Sequence, residues 1–145
     1  VMLSTGRGDP AENIAVTSEL RRLCERKIPL FGICLGHQLL ALSQGAKTAK
    51  LKYGHRGANQ PVRDMETGRV YITSQNHGYA VVADTLPGNA RLSFVNANDG
   101  TTEGIAYSDM PAFSVQFHPE AAAGPLDTRF LFDRFIDMVD RYKTR

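Results

Sequence analysis

The chain of 145 residues is 42% hydrophobic and 22% charged, with a formal net charge of +2. This is the composition of an ordinary globular domain, long enough to bury a core of its own. The small net charge gives no reason to expect a nucleic acid or an anionic membrane as partner, and no apolar run approaches the roughly 18 residues of a membrane-spanning helix. Two cysteines without close spacing make neither a disulfide framework nor a zinc site, so we expect a reduced, cytoplasmic protein without a bound metal.

The chain opens on a strand-like fragment that runs directly into a glycine turn. Residues 1–3 have the pattern of the tail of a buried strand. Such an opening leads us to expect that the first part of a larger polypeptide is absent. Asp9 is suited to cap a helix and Pro10 to be its first residue. Apolar residues at helical spacing then predict an amphipathic helix over 11–26.

A second strand and helix follow at once. The run "IPLFGI" at 28–33 is short and entirely apolar, which is typical of a parallel strand buried on both faces. The residues from Leu35 to Gln44 predict a helix that Gly45 ends. The order strand, helix, strand, helix indicates an α/β fold.

The pattern changes after Gly45 to short strands separated by Gly, Pro, Asn and Asp. The predicted strands cover 70–74, 79–83, 91–97, 103–108 and 112–117. Apolar residues at helical spacing beyond residue 130 predict a closing helix. With no repeat and no linker, we expect one domain over 1–145, incomplete at its N-terminus.

Cys34 lies between two glycines at the predicted turn from strand to helix. The run from Gly32 to Gly36 has the form G-x-nucleophile-x-G, in which a sharp turn lifts the nucleophile above the sheet. The start of the following helix favours a thiolate there, and the Leu35 N–H is placed to donate to an oxyanion. The alternative is a small buried side chain, which is the interpretation we give to Cys24.

A thiolate nucleophile needs a base and a group that orients the base. His118 ends the predicted strand 112–117 in "FHPE", and Glu120 follows two residues later. Strand ends hold catalytic groups in fixed positions in α/β proteins. We therefore predict His118 as the base and Glu120 as its orienting carboxylate; the alternative is a surface histidine near a surface glutamate.

The other three histidines compete for the role of base. His37 lies in the first turn of the helix after Cys34, where we expect packing or hydrogen bonding at the helix end. His77 is interpreted as part of a turn between strands that shapes a pocket. His55, in the loop "KYGHRG", is interpreted as a surface or interface residue.

The glycine turn "TGRGDP" comes between the first strand and the first helix. Its backbone N–H groups could hold an anion, but no phosphate-loop motif is present. We expect it to form the second side of an oxyanion hole, because a cysteine acyl transfer needs a donor from elsewhere in the chain.

Together, "GRGDP", "GICLGHQ", "QNHGYAV" and "FHPE" resemble the triad-type, class I glutamine amidotransferases over nearly the whole chain. Within that group, "RGANQPV", "TSQNHGYAV" and "HPEAAAGPLDT" resemble the glutaminase subunits of carbamoyl-phosphate synthetases. The resemblance implies a flavodoxin-like, three-layer fold with an open, mixed and mainly parallel sheet flanked by helices, here without its N-terminal strands.

The resemblance also implies a reaction. Cys34 attacks the side-chain amide of glutamine, His118 gives a proton to the ammonia that leaves, and water hydrolyses the γ-glutamyl thioester. The motifs carry two sets of further residues: oxyanion-hole donors at Gly6 and Leu35, and glutamine-binding residues at Gly8, Gln38, Asn76, Gly78 and Tyr79. No cofactor belongs to this chain, because the ammonia passes to a large synthetase subunit that uses ATP and magnesium.

The first loop departs from the family pattern, since Thr5 replaces an asparagine and Arg7 a proline. The arginine adds an N–H and a charge near the oxyanion site. These departures leave open a non-catalytic regulatory or structural relative of the same fold, a hydrolase of another amide or ester, or the glutaminase of another amidotransferase.

Overall fold

A computed structural model of the chain describes residues 1–3, 9–119, 128 and 130–143. Five residues of the sequence analysis lie outside the described residues: Thr5, Gly6, Arg7, Gly8 and Glu120. Their predicted roles therefore stay predictions.

The described chain holds seven strands and three α-helices. The strands are β1 (Met2–Leu3), β2 (Leu30–Ile33), β3 (Thr48–Asp64), β4 (Val70–Val81), β5 (Ala90–Asn96), β6 (Thr102–Tyr107) and β7 (Ala112–Val115). The helices are α1 (Ile14–Glu25), α2 (Leu35–Ser43) and α3 (Phe130–Lys143), and two short 3-10 turns cover Pro10–Glu12 and Ala83–Thr85. Among these helices none is both long and apolar enough to cross a membrane.

The first helix begins later than its sequence predicts. Asp9 accepts a hydrogen bond from the Ala11 N–H at 2.9 Å, but it caps the 3-10 turn that starts at Pro10. The α-helix begins at Ile14, with Asn13 at the capping position. The predicted strand at 1–3 is present as β1, although Met2 is 46% exposed because β1 is the edge strand of the described sheet.

The second half holds one strand that was not predicted and joins two that were predicted as separate. β3 covers residues we interpreted as a loop, and β4 runs through both 70–74 and 79–81 without the expected turn. The two strands pair antiparallel with irregular register between Lys50 and His55 and between Gly57 and Gln60. Glycines at positive φ, such as Gly57 at 108°, permit these irregularities, so a glycine-rich polar segment stays in the sheet.

The strands form one mixed sheet in the order β1-β2-β7-β6-β5-β3-β4. The β1–β2 and β2–β7 pairs are parallel, and the remaining described pairs are antiparallel. The parallel part is thus a smaller share of the sheet than expected, because the chain after α2 returns through hairpins. An isolated bridge joins Ser74 of β4 to His118, which shows that the sheet curls and that β4 comes back to the end of β7.

Helices cover both faces of the parallel strands and give the expected three layers. Leu30 packs in a cluster with Leu20 of α1 and Leu40 of α2. The next residue along β2, Phe31, points to the other face and packs in a cluster with Leu131 of α3. Burial on both faces explains why this strand is apolar throughout. The α/β fold with a mixed sheet flanked by helices is confirmed.

Candidate active site

Cys34 is the single residue between β2 and α2, as the sequence predicts. Its backbone has φ 57° and ψ −111°, a positive φ that side-chain-bearing residues rarely adopt. The Cys34 N–H donates to the Val115 carbonyl at 2.9 Å, and the Cys34 carbonyl accepts from the Gln38 N–H in the first turn of α2. The surrounding strand and helix therefore hold the cysteine in a strained turn, which is typical of a nucleophile elbow.

The two glycines are required by close backbone contacts on either side of the turn. A Cβ added to Gly32 would lie 2.8 Å from the Gly36 carbonyl oxygen. A Cβ added to Gly36 would meet the backbone of Leu3, 2.8 Å from its carbonyl carbon. Both distances are shorter than Cβ contacts in proteins, so the elbow can close only with glycine at these positions.

His118 lies at the neighbouring strand end. β2 and β7 are parallel, with Ile33 opposite Val115, so Cys34 and the residues after Val115 leave the sheet at the same edge. The His118 N–H donates to the Ser74 carbonyl at 3.0 Å, which fixes the backbone of the half-buried His118 against β4. The structure thus brings Cys34 and His118 to one edge of the sheet; their roles as nucleophile and base stay predictions.

A buried glutamine that the sequence did not single out contacts Cys34. Gln116 is 0% exposed, and its Nε2 lies 3.7 Å from Cys34 Sγ. The Gln116 Oε1 accepts from Gln38 Nε2 at 2.7 Å, and the same nitrogen donates to the Tyr79 carbonyl at 2.8 Å. The signal in the sequence is the spacing of two between Gln116 and His118, which places both side chains on one side of an extended chain.

The residues predicted to bind glutamine lie close to this network. Leu35 is the first residue of α2, and Gln38 lies one turn further, buried. Asn76, Gly78 and Tyr79 lie on β4, between the Ser74 carbonyl that holds His118 and the Tyr79 carbonyl that holds Gln38. Asn76 is exposed, whereas Gly78 and Tyr79 are half-buried. The structure gathers these positions beside Cys34, and their contacts with a substrate stay predictions.

His37 packs in the core, as expected. It is fully buried, and its Nδ1 lies 2.7 Å from Ser114 Oγ. Burial lowers the pKa of His37 to about 3, and the nearby His77 lowers it further. The ring is therefore neutral near pH 7 and is placed away from the strand ends that carry Cys34 and His118.

The predictions for His55 and His77 were wrong in position. His77 lies within β4 and not in a turn, and His55 lies within β3 and is buried, not on the surface. The two residues are register partners with rings 5.0 Å apart. Burial lowers the pKa of His77 to about 4. The Glu103 carboxylate raises the pKa of His55 to about 9 against the effect of burial, and Asp99 adds to the increase.

The chain resembles one family over most of its length. The model of the family described as glutamine amidotransferase class-I matches residues 1–138. A carbamoyl phosphate synthase arginine-specific small chain from Aspergillus clavatus is 58% identical over 144 residues, and a carbamoyl phosphate synthase small chain from Methanocaldococcus jannaschii is 55% identical over 141 residues. These matches cover 99% and 97% of this chain but only 32% and 40% of the relatives.

Solved structures show the same fold at low sequence identity. A Thermoplasma acidophilum protein described as a subunit of GMP synthase superposes with a TM-score of 0.83 at 24% identity, and covers 99% of this chain and 73% of that one. A glutamine amidotransferase from Thermotoga maritima gives a TM-score of 0.71 at 23% identity, with 100% and 65% covered.

Proposed function

The chain belongs to the class I glutamine amidotransferases, and from this membership we propose that it hydrolyses glutamine to glutamate and ammonia through a thioester on Cys34. The observation that carries the proposal is the strained turn at Cys34, at the same sheet edge as His118. A buried structural cysteine needs neither a positive φ nor two glycines in close contact.

The proposed reaction has two steps that use the same residues. The Cys34 thiolate adds to the amide carbon of glutamine, and the Leu35 N–H donates to the oxyanion that forms. His118 protonates the amide nitrogen as the carbon–nitrogen bond breaks, so that ammonia leaves and a γ-glutamyl thioester remains. His118 then takes a proton from a water molecule, which adds to the thioester and releases glutamate and the thiol. In this proposal Gly6 supplies a second oxyanion donor, and Glu120 orients His118.

The residues of β4 and α2 would position the substrate. Because Gln38 Nε2 bonds the Tyr79 carbonyl, the helix that follows Cys34 and the strand that carries Asn76 and Gly78 form two walls of one site. Gly8 lies in the loop that we propose as a third wall. A site with fixed walls holds the amide carbon near the sulfur without further ordering.

We propose carbamoyl phosphate synthesis as the use of the ammonia. Relatives that are 53–58% identical are named carbamoyl phosphate synthase small chain or its arginine-specific form. The proposal therefore includes a partner, the large synthetase subunit, with ATP and magnesium used there and ammonia passed between the two. The expected cytoplasmic location stays a prediction.

A chloroketone analogue of glutamine tests the proposed nucleophile. The analogue should alkylate Cys34 stoichiometrically, abolish glutamine hydrolysis, and be competed by glutamine. Cys24 is the matched control, because its thiol is buried and burial raises its pKa to about 11. Equal labelling of both cysteines, or labelling of Cys34 without loss of hydrolysis, would contradict the proposal.

A further inference from the structure

Three buried side chains from different strands meet on the inner side of the curled sheet, outside the network that contacts Cys34. They are His55 of β3, His77 of β4 and Glu103 of β6. We propose that these three residues bind one divalent cation of borderline softness, such as Zn²⁺, a type of ion that imidazole and carboxylate ligands suit.

The donor atoms are close enough to share an ion. His55 Nδ1 lies 3.8 Å from Glu103 Oε1, and His77 Nε2 lies 3.9 Å from the same oxygen. All three donor atoms are within 4.8 Å of one another. Zinc bonds of about 2.0–2.2 Å in tetrahedral geometry place donors roughly 3.3 Å apart, so the distances to Glu103 need to shorten by only about half an ångström.

Two of the three donors are buried without a protein partner. Glu103 is 0% exposed and the His55 side chain 9% exposed. Yet neither Glu103 Oε1 nor His55 Nδ1 has a hydrogen-bond partner among the described residues. Buried polar atoms are nearly always paired, so two orphans that face each other indicate a missing ligand.

The hydrogen bonds on the far side of each histidine leave a lone pair pointing inward. His77 Nδ1 donates to the Tyr79 carbonyl at 2.7 Å, so Nε2 of the neutral ring carries a lone pair. His55 Nε2 lies 2.7 Å from Asp99 Oδ2, to which it donates, so Nδ1 carries the lone pair. A histidine that binds a metal characteristically donates its other N–H to a carbonyl or carboxylate in this way.

The third donor is arranged in the same sense. Glu103 Oε2 accepts a short hydrogen bond from Gln75 Nε2, which leaves Oε1 toward the two histidines. The Gln75 Oε1 consequently faces His77 Nε2 at 2.8 Å, where two acceptors oppose each other. A cation between the rings and the carboxylate would give each of these electron pairs a partner.

The sequence predicted no metal, because the three residues have no metal-ligand spacing. His55 and His77 meet through the β3–β4 register, and Glu103 joins them only because the sheet curls. A bound ion would tie three strands together at this point. It would also fix His77 against the Tyr79 carbonyl, which Gln38 Nε2 shares.

Metal content and cobalt spectroscopy of the intact protein test the proposal. We use a Cys34→Ser background, so that the thiolate cannot bind the ion. After purification without chelator and addition of Zn²⁺ alone, the protein should retain one equivalent through dialysis, and its melting temperature should rise. With Co²⁺, absorption of a nitrogen and oxygen ligand set should appear and titrate to one equivalent, a measurement that needs no variant in the cluster.

Two conservative variants and one control decide whether the cluster is the site. Glu103→Gln and His55→Gln should each abolish retention of the ion and the rise in melting temperature, and Asp99→Asn should weaken binding about 10–100-fold. Glu66→Gln, an exposed carboxylate outside the cluster, should bind like the parent. Failure of the parent to retain Zn²⁺ or to give the cobalt spectrum would overturn the proposal. So would equal retention in Glu103→Gln, and an imidazolium at His55 would then supply the charge between the carboxylates.

Discussion

The side-chain amide of Gln116 lies against the sulfur of Cys34, with Nε2 3.7 Å from Sγ in a buried position. The Gln116 oxygen accepts from Gln38, so the amide nitrogen is turned toward the sulfur. A donor held in this orientation stabilises a thiolate more than a thiol. Gln116 therefore belongs with the residues that prepare Cys34.

Replacing Gln116 with leucine should slow both alkylation of Cys34 at neutral pH and glutamine hydrolysis. A hydrogen bond to a charged group contributes about 1.5–3 kcal/mol, which corresponds to a loss of roughly 10- to 100-fold. Rates of iodoacetamide labelling and of ammonia release measure it. Gln60→Leu, whose amide bonds an exposed backbone carbonyl, is the control. Unchanged labelling in a folded Gln116→Leu protein would exclude this role.

Gly36→Ala should destabilise the protein by about 1–3 kcal/mol, since the new methyl group meets the backbone of Leu3 and neither element can move freely. Gly88→Ala is the matched control, because a Cβ there meets nothing within 4 Å. That variant should be neutral or slightly stabilising, by up to about 1 kcal/mol. Urea unfolding measures both. Equal stability of the two variants would show that the elbow does not need a glycine after Cys34.

Cys34→Gly should be more stable than Cys34→Ala by about 1–2 kcal/mol, because only glycine adopts a φ of 57° without steric cost. The same pair of substitutions at Cys24, within α1, should have the opposite order, with alanine more stable by about 0.5–1 kcal/mol. Chemical denaturation of the four variants gives the comparison. The same order at both positions would contradict the strained backbone at Cys34.

His37 should make the protein less stable as the pH falls. Its pKa is about 3 in the folded state and 6.5 in the reference state, so between these values the unfolded chain binds a proton that the native chain does not. The free energy of unfolding therefore falls with decreasing pH in this window, by up to about 1.4 kcal/mol per pH unit. The difference in unfolding free energy between the parent and His37→Asn, measured from pH 7 down to 5, isolates the effect. Parallel pH profiles would show that His37 is not buried as described.

Local patterns predicted the parts of the fold that depend on nearby residues. The apolar run at β2 and the glycines around Cys34 are local signals, and both were interpreted correctly. β3 was missed because its polar, glycine-rich residues are held in the sheet by pairing with β4 and not by their own propensity. For the same reason His55 was placed on the surface. Gln116 was missed because its contact with Cys34 depends on the register of β2 against β7, which no short window contains.

The most direct test of the account compares two nitrogen donors in the complete synthetase assembly. Cys34→Ser should abolish glutamine hydrolysis and glutamine-dependent synthesis of carbamoyl phosphate, because the hydroxyl cannot replace the thiolate, while synthesis from added ammonia should continue at the parent rate. Retention of glutamine hydrolysis in Cys34→Ser would contradict the central claim that this cysteine is the nucleophile.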